Sequence, residues 1–541
     1  MKKILLSIMA AFFVMALNAQ VSVWDGTAEP WTHGNGTPED PYLIENAQQL
    51  AYIAQKVNEP TIHSAYEFYI DTCFRLTSDL DLGGNNKLLW TPIGKYDRFT
   101  GVRSSFAGHF DGDGHTIYNM YIESDLINLY LGLFGLACNG SIKNIIMASN
   151  CTLDFKHGTI SNDDICVGSV LAKGNNIQLE NCTNMAFVSS EVESVYRGIS
   201  CGGLFGSVTN GSMINNCHNF GDVNCRGAAD YGVLSPAGIV SYAKDCDIIG
   251  CTNKGNITCV KNVFGVQHRG TSSGGIAGFL CGDCNVELCF NTGTIVVDDE
   301  IGQYDIPKSC GGIVGISYNA DCSTNIHIRD CYNVSDIYTY ANNNDRYTYA
   351  GGIFGVTGEC NVITIENCYT AGVIESDTIG GIIAYRDWVF NPGMAVVANS
   401  YYVNTMECFY NYGTSVSDDY MKSQDFVNLL NNGSDVYAMD DMHVNEGYPI
   451  FAIYYSVEEN IADKGVPVYP NPAQDIINIS FDENVNCNSV EIYSIDGRIV
   501  ETFPVTSSQS TINIVNLNAG VYMMKVKMSD GKEYSEKIVK E

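Results

Sequence analysis

Three groups of acidic residues are the first candidates for chemistry, because paired carboxylates can act as general acid and base on a glycosidic bond. They are Asp111 and Asp113 with His115 in the string DGDGHTI, the pair Asp163-Asp164, and the pair Asp298-Asp299. In the first string, alternating Asp and Gly are typical of a turn. The two pairs fall in loop-like segments, where we expect solvated acids. No catalytic residues are therefore assigned.

Motifs for metals and nucleophiles are sparse. The sequence contains no H-E-x-x-H pair that would hold zinc beside a general base, and no G-x-S-x-G or phosphate loop in a supporting context. Cys281 and Cys284 form a C-x-x-C without the partner pair that a zinc site needs, so we expect them to pack in the core. We predict no cofactor and no metal site. Ca²⁺ binding is an alternative only because the chain is acidic, and the sequence shows no set of Ca²⁺ ligands.

The acidic excess excludes one class of partner. The chain has 541 residues, with 61 Asp and Glu against 29 Lys and Arg, and a formal net charge of −32. Because phosphate binding requires clustered Lys and Arg, nucleic acid is excluded as a partner. The charge favours solubility, and contact with cationic surfaces is an alternative use.

A Gly-centred apolar motif recurs along the chain and shows how these residues are positioned. Examples are LGLFG ending at Gly135, GGLFG from Gly202 and GGIFG from Gly351. The spacing is about 35 to 40 residues, with a final interval near 29, which indicates a repeat architecture. We predict that the aligned glycines are Gly132, Gly168, Gly203, Gly238, Gly275, Gly312, Gly352 and Gly381.

A second motif keeps phase with the first. The consensus C-x-N-x-G-x-[VI] begins at Cys182, Cys217, Cys251, Cys289, Cys331 and Cys368. Period-two β-branched runs broken by Gly and Asn are typical of short strands joined by tight turns. One copy cannot bury its apolar side, whereas stacked copies form a continuous core at a strand spacing of about 4.8 Å. We predict an all-β fold, a parallel β-helix or β-solenoid of about eight rungs.

Most of the 21 cysteines fit such a stack. A free Cys behaves as a small buried hydrophobe. Stacked, in-register cysteines have Cβ atoms in an unfavourable orientation for a disulfide bond. We favour buried thiols, with disulfides between rungs as the alternative. Beside the ladder from Cys182 to Cys368, a second is predicted from Cys246, Cys284, Cys322 and Cys360, and part of a third from Cys166, Cys201 and Cys310.

The longest insertion between repeats carries the best candidate for a ligand surface. It contains Tyr338, Tyr340, Tyr347 and Tyr349. Aromatic rings on the flank of a solenoid can stack on sugars or contact a host protein. The alternative is an outward aromatic ladder that only stabilises the sheet.

Both ends of the array have features of their own. The first 19 residues combine two lysines, a short apolar run and small residues, the order of a secretory signal peptide, with cleavage expected between Ala19 and Gln20. The segments from Glu45 to Asn58 and from Met421 to Leu430 place apolar residues on one helical face. We predict short helical caps there, since solenoids need covered ends.

The part of the chain from about residue 23 to 455 contains, in order, the strings GTPEDPYLIENAQQLAYIA, DLDLGG, WTPIG, FAGHFDGDGHTIYNM and the GLFG-like units. It resembles secreted bacterial proteins that carry the GLUG motif and are often described as adhesin-like. The resemblance implies a β-helix-like surface protein. Some GLUG-bearing proteins are immunoglobulin-cleaving metallopeptidases, but the missing H-E-x-x-H pair argues against that activity here.

The last 75 or so residues contain VPVYPNPAQDIINISF, VEIYSIDGRIV and INIVNLNAGVYMMKVKMSDGKEYSEKIVKE, alternating strands and turns that are typical of a small, Ig-like β-sandwich. This segment resembles the type A C-terminal sorting domain of the type IX secretion system. The resemblance implies passage through the outer membrane of a Gram-negative bacterium, removal of the domain, and either release or attachment to surface lipopolysaccharide. The residues that carry the motif are Pro470, Asn471, Pro472, Gly497 and Gly520.

These patterns predict the following division of the chain. It has a signal peptide at 1–19, an N-terminal cap with the first coils at 20–128, GLUG-like repeats at 129–405, a C-terminal cap and linker at 406–463, and the sorting domain at 464–541. We expect a secreted or cell-surface protein whose partners are the type IX secretion machinery, surface lipopolysaccharide and a glycan or host-protein ligand.

Two functions fit this sequence. The first is adhesin-like binding or display, and the alternative is a β-helical lyase or glycoside hydrolase acting on polysaccharide. The NTD, DD, GHG and RIK series of polygalacturonases is missing. A cleft lined by three or more convergent carboxylates would favour the enzyme, and a flat flank with exposed tyrosines would favour binding.

Overall fold

The computed structural model divides the chain into two compact units, Met1–Ser434 with Asp441–Tyr448, and Asp435–Asp440 with Pro449–Glu541. Among the described residues, no helix is both long and apolar enough to cross a membrane. The expected signal cleavage at Ala19 and Gln20 lies outside these residues. The structure describes residues 23–59, 65–84, 88–97, 99–123, 129–160, 163–195, 198–229, 232–261, 270–299, 308–317, 324–341, 348–358, 361–386, 394–406, 408–409, 412–441, 443–452, 468–469, 476–480, 487–494, 499–504, 509–515, 517, 520–528 and 533–540.

The first unit is a parallel β-solenoid, as predicted. Each coil passes through five sheets in turn, here numbered 1 to 5 from the strand that carries the repeat glycine, and each strand pairs in parallel with its equivalent one coil on. Sheet 1 has eight strands, one for each predicted copy. They are Tyr130–Leu131, Asp164–Gly168, Gly198–Gly202, Leu234–Ala237, Thr271–Gly274, Lys308–Gly311, Thr348–Gly351 and Thr378–Gly380.

Sheets 2 and 3 begin before the first repeat glycine, so coils extend beyond the repeats. Sheet 2 contains Ala65–Phe68, Arg103–Phe106, Phe134–Cys138, Leu171–Asn175, Phe205–Thr209, Val240–Lys244, Ala277–Cys281, Val314–Ser317, Phe354–Thr357 and Ile383–Arg386, with Lys95–Tyr96 antiparallel to its second strand. Sheet 3 contains Tyr42–Ile44, Cys73–Leu76, His109–Asp111, Ser141–Lys143, Gln178–Glu180, Met213–Asn215, Asp247–Ile249, Cys284–Glu287, Thr324–Arg329, Asn361–Glu366 and Met394–Ala398.

Sheets 4 and 5 complete each coil. Sheet 4 contains Leu80–Asp81, Thr116–Tyr118, Ile146–Met147, Thr183–Asn184, His218–Asn219, Thr252–Asn253, Phe290–Asn291, Tyr332–Asn333, Tyr369–Thr370, Tyr401–Val403 and Thr414–Val416. Sheet 5 contains Tyr121–Glu123, Thr152–Ile160, Phe187–Val195, Val223–Ala229, Ile257–Lys261, Ile295–Asp299, Ile337–Ala341 and Ile374–Glu375. The interior between the sheets is one continuous core of Ile, Val, Leu, Phe and Cys.

An asparagine ladder runs along the inner side of sheet 4. Asn219 donates from Nδ2 to Oδ1 of Asn253 at 2.8 Å and to the carbonyl of Gly221 at 2.8 Å. The same pair of bonds recurs in successive coils, which satisfies the donors of these fully buried amides. The ladder consists of Asn184, Asn219, Asn253, Asn291 and Asn333, followed by Thr370.

The two repeat motifs meet at this ladder. A Cβ atom on Gly275 would lie 2.4 Å from Cγ of Asn291, and one on Gly312 would lie 2.5 Å from Cγ of Asn333. The carbonyl oxygens of Gly312 and Gly352 would lie closer still, at 2.2 and 2.1 Å, so glycine is required because the backbone of the next coil and the asparagine of the C-x-N motif together fill the space of a Cβ.

The predicted glycine alignment is wrong by one residue in its first two copies. Gly168 pairs with Gly202, and Gly132 belongs to the same column because the residue before it, Leu131, pairs with Val167. The first two motifs, LGLFG and VGSVL, lack the double glycine of the later GG copies. A single glycine could not show which of two neighbouring columns it occupies.

The cysteine ladders are largely as predicted. The described cysteines from Cys182 to Cys368 are buried free thiols, and Cys246 stacks on Cys284. Burial raises the pKa of the Cys246 thiol to about 12. The third ladder needs correction, because Cys166 pairs with Ser200 and lies one residue out of the column that holds Cys201. Cys322 and Cys360 of the second ladder lie outside the described residues.

Three helices accompany the solenoid within the described residues. Helix α1 (Ala47–Val57) starts where the side chain of Asn46 accepts from the amide of Gln49 at 2.9 Å, and its apolar face joins the core beside the first coils. Helices α2 (Asp418–Met421) and α3 (Gln424–Asn431) follow the last strand of sheet 4. Phe426 of α3 packs on the outward rings of sheet 4, so this helix covers a flank of the solenoid.

The second unit is built from antiparallel strands. Val468–Tyr469, Ile476–Ser480 and Gln509–Asn513 form one sheet, and Cys487–Ser494, Ile499–Pro504, Gly520–Met528 and Glu533–Lys540 form another. Both sheets contribute to one buried apolar cluster. The unit also contains the short pair Tyr437–Ala438 and Ile450–Phe451. Of the predicted sorting residues, Gly520 begins a strand, whereas Pro470, Asn471, Pro472 and Gly497 lie outside the described residues.

Candidate binding surface

The outer face of sheet 5 contains two columns of side chains. In the strand Ile337–Ala341, Ile337 and Thr339 are buried, so Tyr338 and Tyr340 project outward. We call these two residues the tyrosine pair. In the earlier coils, the first column contains Asp154, Ser189, Asn224, Thr258 and Val296, and the second contains Lys156, Glu191, Arg226, Val260 and Asp298.

The tyrosine pair therefore interrupts columns that are otherwise polar or aliphatic. Its rings are nearly parallel, with centroids 6.2 Å apart and an interplanar angle of 10°. The Tyr340 side chain is 46% exposed, and Tyr338 is half-buried. Within the described strands of sheet 5, no neighbour in either column is aromatic, so the pair does not belong to a stabilising ladder.

Carboxylates surround the tyrosine pair. Tyr338 donates its hydroxyl to Asp336 at 3.1 Å, Glu375 lies beside Tyr338 in the next strand, and Asp298 lies beside Tyr340 in the previous one. The hydrogen bond to Asp336 raises the pKa of Tyr338 above its ordinary value. Partial desolvation and then the charges of Glu375 and Asp298 raise the pKa of Tyr340. The potential over the rings is therefore negative.

The other two predicted tyrosines do not join this pair. Tyr349 lies in sheet 1, in the strand Thr348–Gly351, and Tyr347 lies outside the described residues. Asp336 and Glu375 were missed from the sequence, and Asp298 was not expected beside the pair. The repeat itself could have found them, since aligning Ile295, Ile337 and Ile374 at the last motif position puts Glu375 next to Tyr338.

The DGDGHTI string forms a turn, as predicted. Asp111 accepts from the amide of Asp113 at 2.9 Å and from Asn144 at 2.7 Å, and it pairs with Lys143 at 3.2 Å. Partial burial alone would raise the pKa of Asp111, but these hydrogen bonds and the Lys143 charge lower it below its usual value. His115 contacts Asp79 through Nδ1 at 3.3 Å, so this ring nitrogen does not contact Asp111.

The loop assignment of the two acid pairs is wrong for three of their four residues. Asp164 lies in a strand of sheet 1, and Asp298 and Asp299 lie in a strand of sheet 5, because pairing between coils overrides the local turn signal. Asp164 forms an ion pair with Lys173 at 2.7 Å. Three of these four acids therefore belong to strands of the coils.

Cys281 and Cys284 pack in the core. Cys284 donates from Sγ to the carbonyl of Cys281 at 3.3 Å, and burial raises the pKa of the Cys284 thiol to about 11. Within the part of the chain that the structure describes, no group of three or more His, Cys, Asp or Glu side chains is placed to hold a metal ion.

Comparison with known proteins identifies one segment. Residues 467–541 match the family model of the secretion system C-terminal sorting domain. This match confirms the predicted type IX sorting domain, and it implies a secreted or cell-surface protein that contacts the secretion machinery. The matched segment is a small part of the chain.

Two curated proteins match a further part of the chain. A candidate Gly-rich membrane protein of Evansella cellulosilytica is 32% identical over 130 residues, 24% of this chain and 13% of the relative. Halomucin of Haloquadratum walsbyi is 32% identical over 128 residues, 23% of this chain and 1% of the relative. The chain thus spans only a small part of these curated relatives.

Two solved structures also overlap with this fold. A candidate immunoglobulin A1 protease of Bacteroides ovatus shares 18% identity at a TM-score of 0.36, over 77% of this chain and 94% of that one. A structure named IgA1 protease shares 15% identity at a TM-score of 0.34, over 66% of this chain and 21% of that one. Scores this low carry no inference about activity.

Proposed function

We propose that this chain is an adhesin-like surface protein that acts by binding or display. The observation that carries the proposal is the tyrosine pair, whose rings stand in two columns of sheet 5 that are otherwise polar or aliphatic. Exposed aromatic surface on a folded domain marks an interaction site. Contact with a partner removes the apolar area of the rings from water, which favours binding. The sorting domain supports the proposal because it implies a location outside the cell, where ligands for a surface protein are found.

The finer features predicted from sequence belong to this proposal. They are the signal peptide with cleavage after Ala19, the GLUG identity of the repeats, the Ig-like form of the sorting domain, and attachment to lipopolysaccharide once that domain is removed. A polysaccharide enzyme remains the alternative from sequence, and the acids considered for it are held in turns and strands, with Lys143 and Lys173 as charge partners.

The test is a binding panel that also measures product. The purified full chain is offered to immobilised glycans and immobilised proteins, and each bound ligand is assayed over time for new reducing ends and new N-termini. We expect saturable binding without product, and a heat-unfolded sample supplies the control. Product that accumulates with time would overturn the binding role and favour an enzyme.

A further inference from the structure

We infer that the tyrosine pair, together with Glu375 and Asp298, forms a site for cationic side chains of a basic polypeptide segment. This inference rests on the proposed binding function and specifies its ligand class. It follows from the rings and the charges around them.

Ring geometry supplies the first argument. An aromatic ring attracts a cation through its negative face, and an ammonium or guanidinium within about 6 Å of the centroid is stabilised there. Tyr338 and Tyr340 present two nearly parallel rings from one strand, so a partner can place successive cationic groups along them. The hydrogen bond from the Tyr338 hydroxyl to Asp336 fixes the orientation of one of these rings.

Charge complementarity supplies the second argument. Neighbouring strands lie about 4.8 Å apart, so the Glu375 and Asp298 side chains flank the rings on both sides. After partial desolvation, the charges of Glu375 and Asp298 also raise the pKa of Tyr340. With a net charge of −32, the whole chain also attracts basic partners at long range, which speeds encounter.

Contacts between a cationic side chain and an aromatic ring occur elsewhere in the same molecule. Lys254 lies 5.7 Å from the ring centroid of Phe220, and Lys173 lies 5.1 Å from that of Tyr130 while paired with Asp164. The second arrangement combines ring, carboxylate and ammonium. The tyrosine pair likewise places rings beside carboxylates.

A neutral glycan is the competing ligand. Removing the phenol hydroxyls distinguishes glycan binding from cation binding. A sugar would use the hydroxyls and ring faces together, whereas a cation needs the ring faces and the carboxylates. The variants Tyr338→Phe and Tyr340→Phe therefore keep a cation site and weaken a sugar site.

The experiment measures binding of labelled hexa-arginine, hexaglutamate and a neutral cellohexaose to the full chain at physiological salt. We expect hexa-arginine to bind, and the double variant Tyr338→Ser/Tyr340→Ser to weaken it about tenfold, since each exposed cation–π contact contributes modestly. Tyr338→Phe/Tyr340→Phe should bind within about twofold of the parent chain. Phe187→Ser is the matched control, because Phe187 is 47% exposed on the same sheet, and it should change nothing.

Two variants with the same change in charge distinguish binding at the tyrosine pair from general attraction of hexa-arginine to the acidic chain. Glu375→Gln and Glu193→Gln each remove one exposed carboxylate from sheet 5, yet only Glu375 lies beside the tyrosine pair. We expect Glu375→Gln to weaken hexa-arginine about threefold and Glu193→Gln to have less than half that effect. Equal effects of the two, or cellohexaose binding that the serine variant abolishes, would overturn the inference. If hexa-arginine does not bind but the panel finds another ligand, the inference fails while the binding function stands.

Discussion

Tyrosines occupy two outer faces of this solenoid, and their neighbours give them different roles. On sheet 4, Phe290, Tyr332 and Tyr369 stack along one column, with centroids 4.8 and 5.1 Å apart and interplanar angles of 1° and 8°. We call these three residues the aromatic ladder. Helix α3 places Phe426 against Tyr369, and Asn445 donates to the Tyr369 hydroxyl at 3.0 Å.

The tyrosine pair on sheet 5 lies in columns whose neighbours are carboxylates and aliphatic residues, and Tyr340 stays 46% exposed. Both tyrosine sets sit at outward positions of repeat strands. A repeat position is therefore structural when an aromatic side chain recurs in the next coil and is covered. A side chain without such neighbours is available for contact with a partner.

The largest expected contrast is in stability. Tyr369→Ala removes a fully buried ring from the aromatic ladder and should lower the free energy of unfolding by about 3–5 kcal/mol. Tyr340→Ala should change it by no more than about 0.5 kcal/mol, because the side chain is largely solvated. Thermal unfolding of the full chain, followed by circular dichroism, measures both. Similar losses for the two variants would show that the tyrosine pair is structural.

The inner side of sheet 4 gives the next effect. Gly275→Ala would place a Cβ atom against Asn291 and should cost about 1–3 kcal/mol through overpacking. Asn291→Ala should itself destabilise, since it removes the acceptor of Asn253. The double variant should be destabilised by nearly the sum of both, because the carbonyl oxygen of Gly312 at 2.2 Å and Cβ of residue 291 at 2.5 Å still obstruct the added Cβ. A double variant as stable as Asn291→Ala alone, measured by chemical denaturation, would contradict the backbone contact between neighbouring coils.

A smaller gain in stability is expected at the turn before the aromatic ladder. Leu288 has a positive φ of 53° at a position where Asn216, Gly250 and Asn367 stand in other coils. Leu288→Asn should raise stability by about 1 kcal/mol, because asparagine tolerates left-handed backbone angles. Leu288→Ala is the control and should gain little, since it keeps a Cβ. An unchanged melting temperature for the asparagine variant would argue against strain there.

The smallest effect concerns ionisation at the tyrosine pair. The pKa of Tyr338 is raised by Asp336, so that contribution to stability is complete below the ordinary value near 10 and is lost as pH rises through the folded pKa. Asp336→Asn keeps an oxygen acceptor without the charge, and the pKa of Tyr338 should fall toward its ordinary value. Absorbance at 295 nm against pH measures this, with Tyr338→Phe as the reference. An unshifted titration would place Asp336 away from the hydroxyl.

Much of the fold could be predicted from the repeat, because Gly, Cys, Asn and Val or Ile recur at fixed offsets and each has one steric or hydrogen-bonding role. The register was less predictable where a copy has a single glycine or a cysteine outside the C-x-N motif, as at Gly168 and Cys166. The local sequence there does not show which of two neighbouring columns the residue occupies. Asp298 was misplaced in a loop because its strand is held by neighbours in other coils.

The candidate site was only half predictable. Tyr338 and Tyr340 follow from composition, but their exposure depends on what stands one coil away, which local sequence does not show. The aromatic ladder was missed because Phe290, Tyr332 and Tyr369 lie about 37 to 42 residues apart and come together only when the coils stack.

Hydroxyl-radical footprinting of the native full chain, with and without saturating hexa-arginine, compares the exposure of the two tyrosine sets. We predict strong oxidation of Tyr340 and protection of Tyr332 and Tyr369, with oxidation of Tyr340 falling when the peptide is bound. Phe187 should be oxidised equally in both samples. Equal oxidation of the two tyrosine sets, or a Tyr340 signal that hexa-arginine leaves unchanged while it binds, would contradict the central claim that the tyrosine pair is the contact surface.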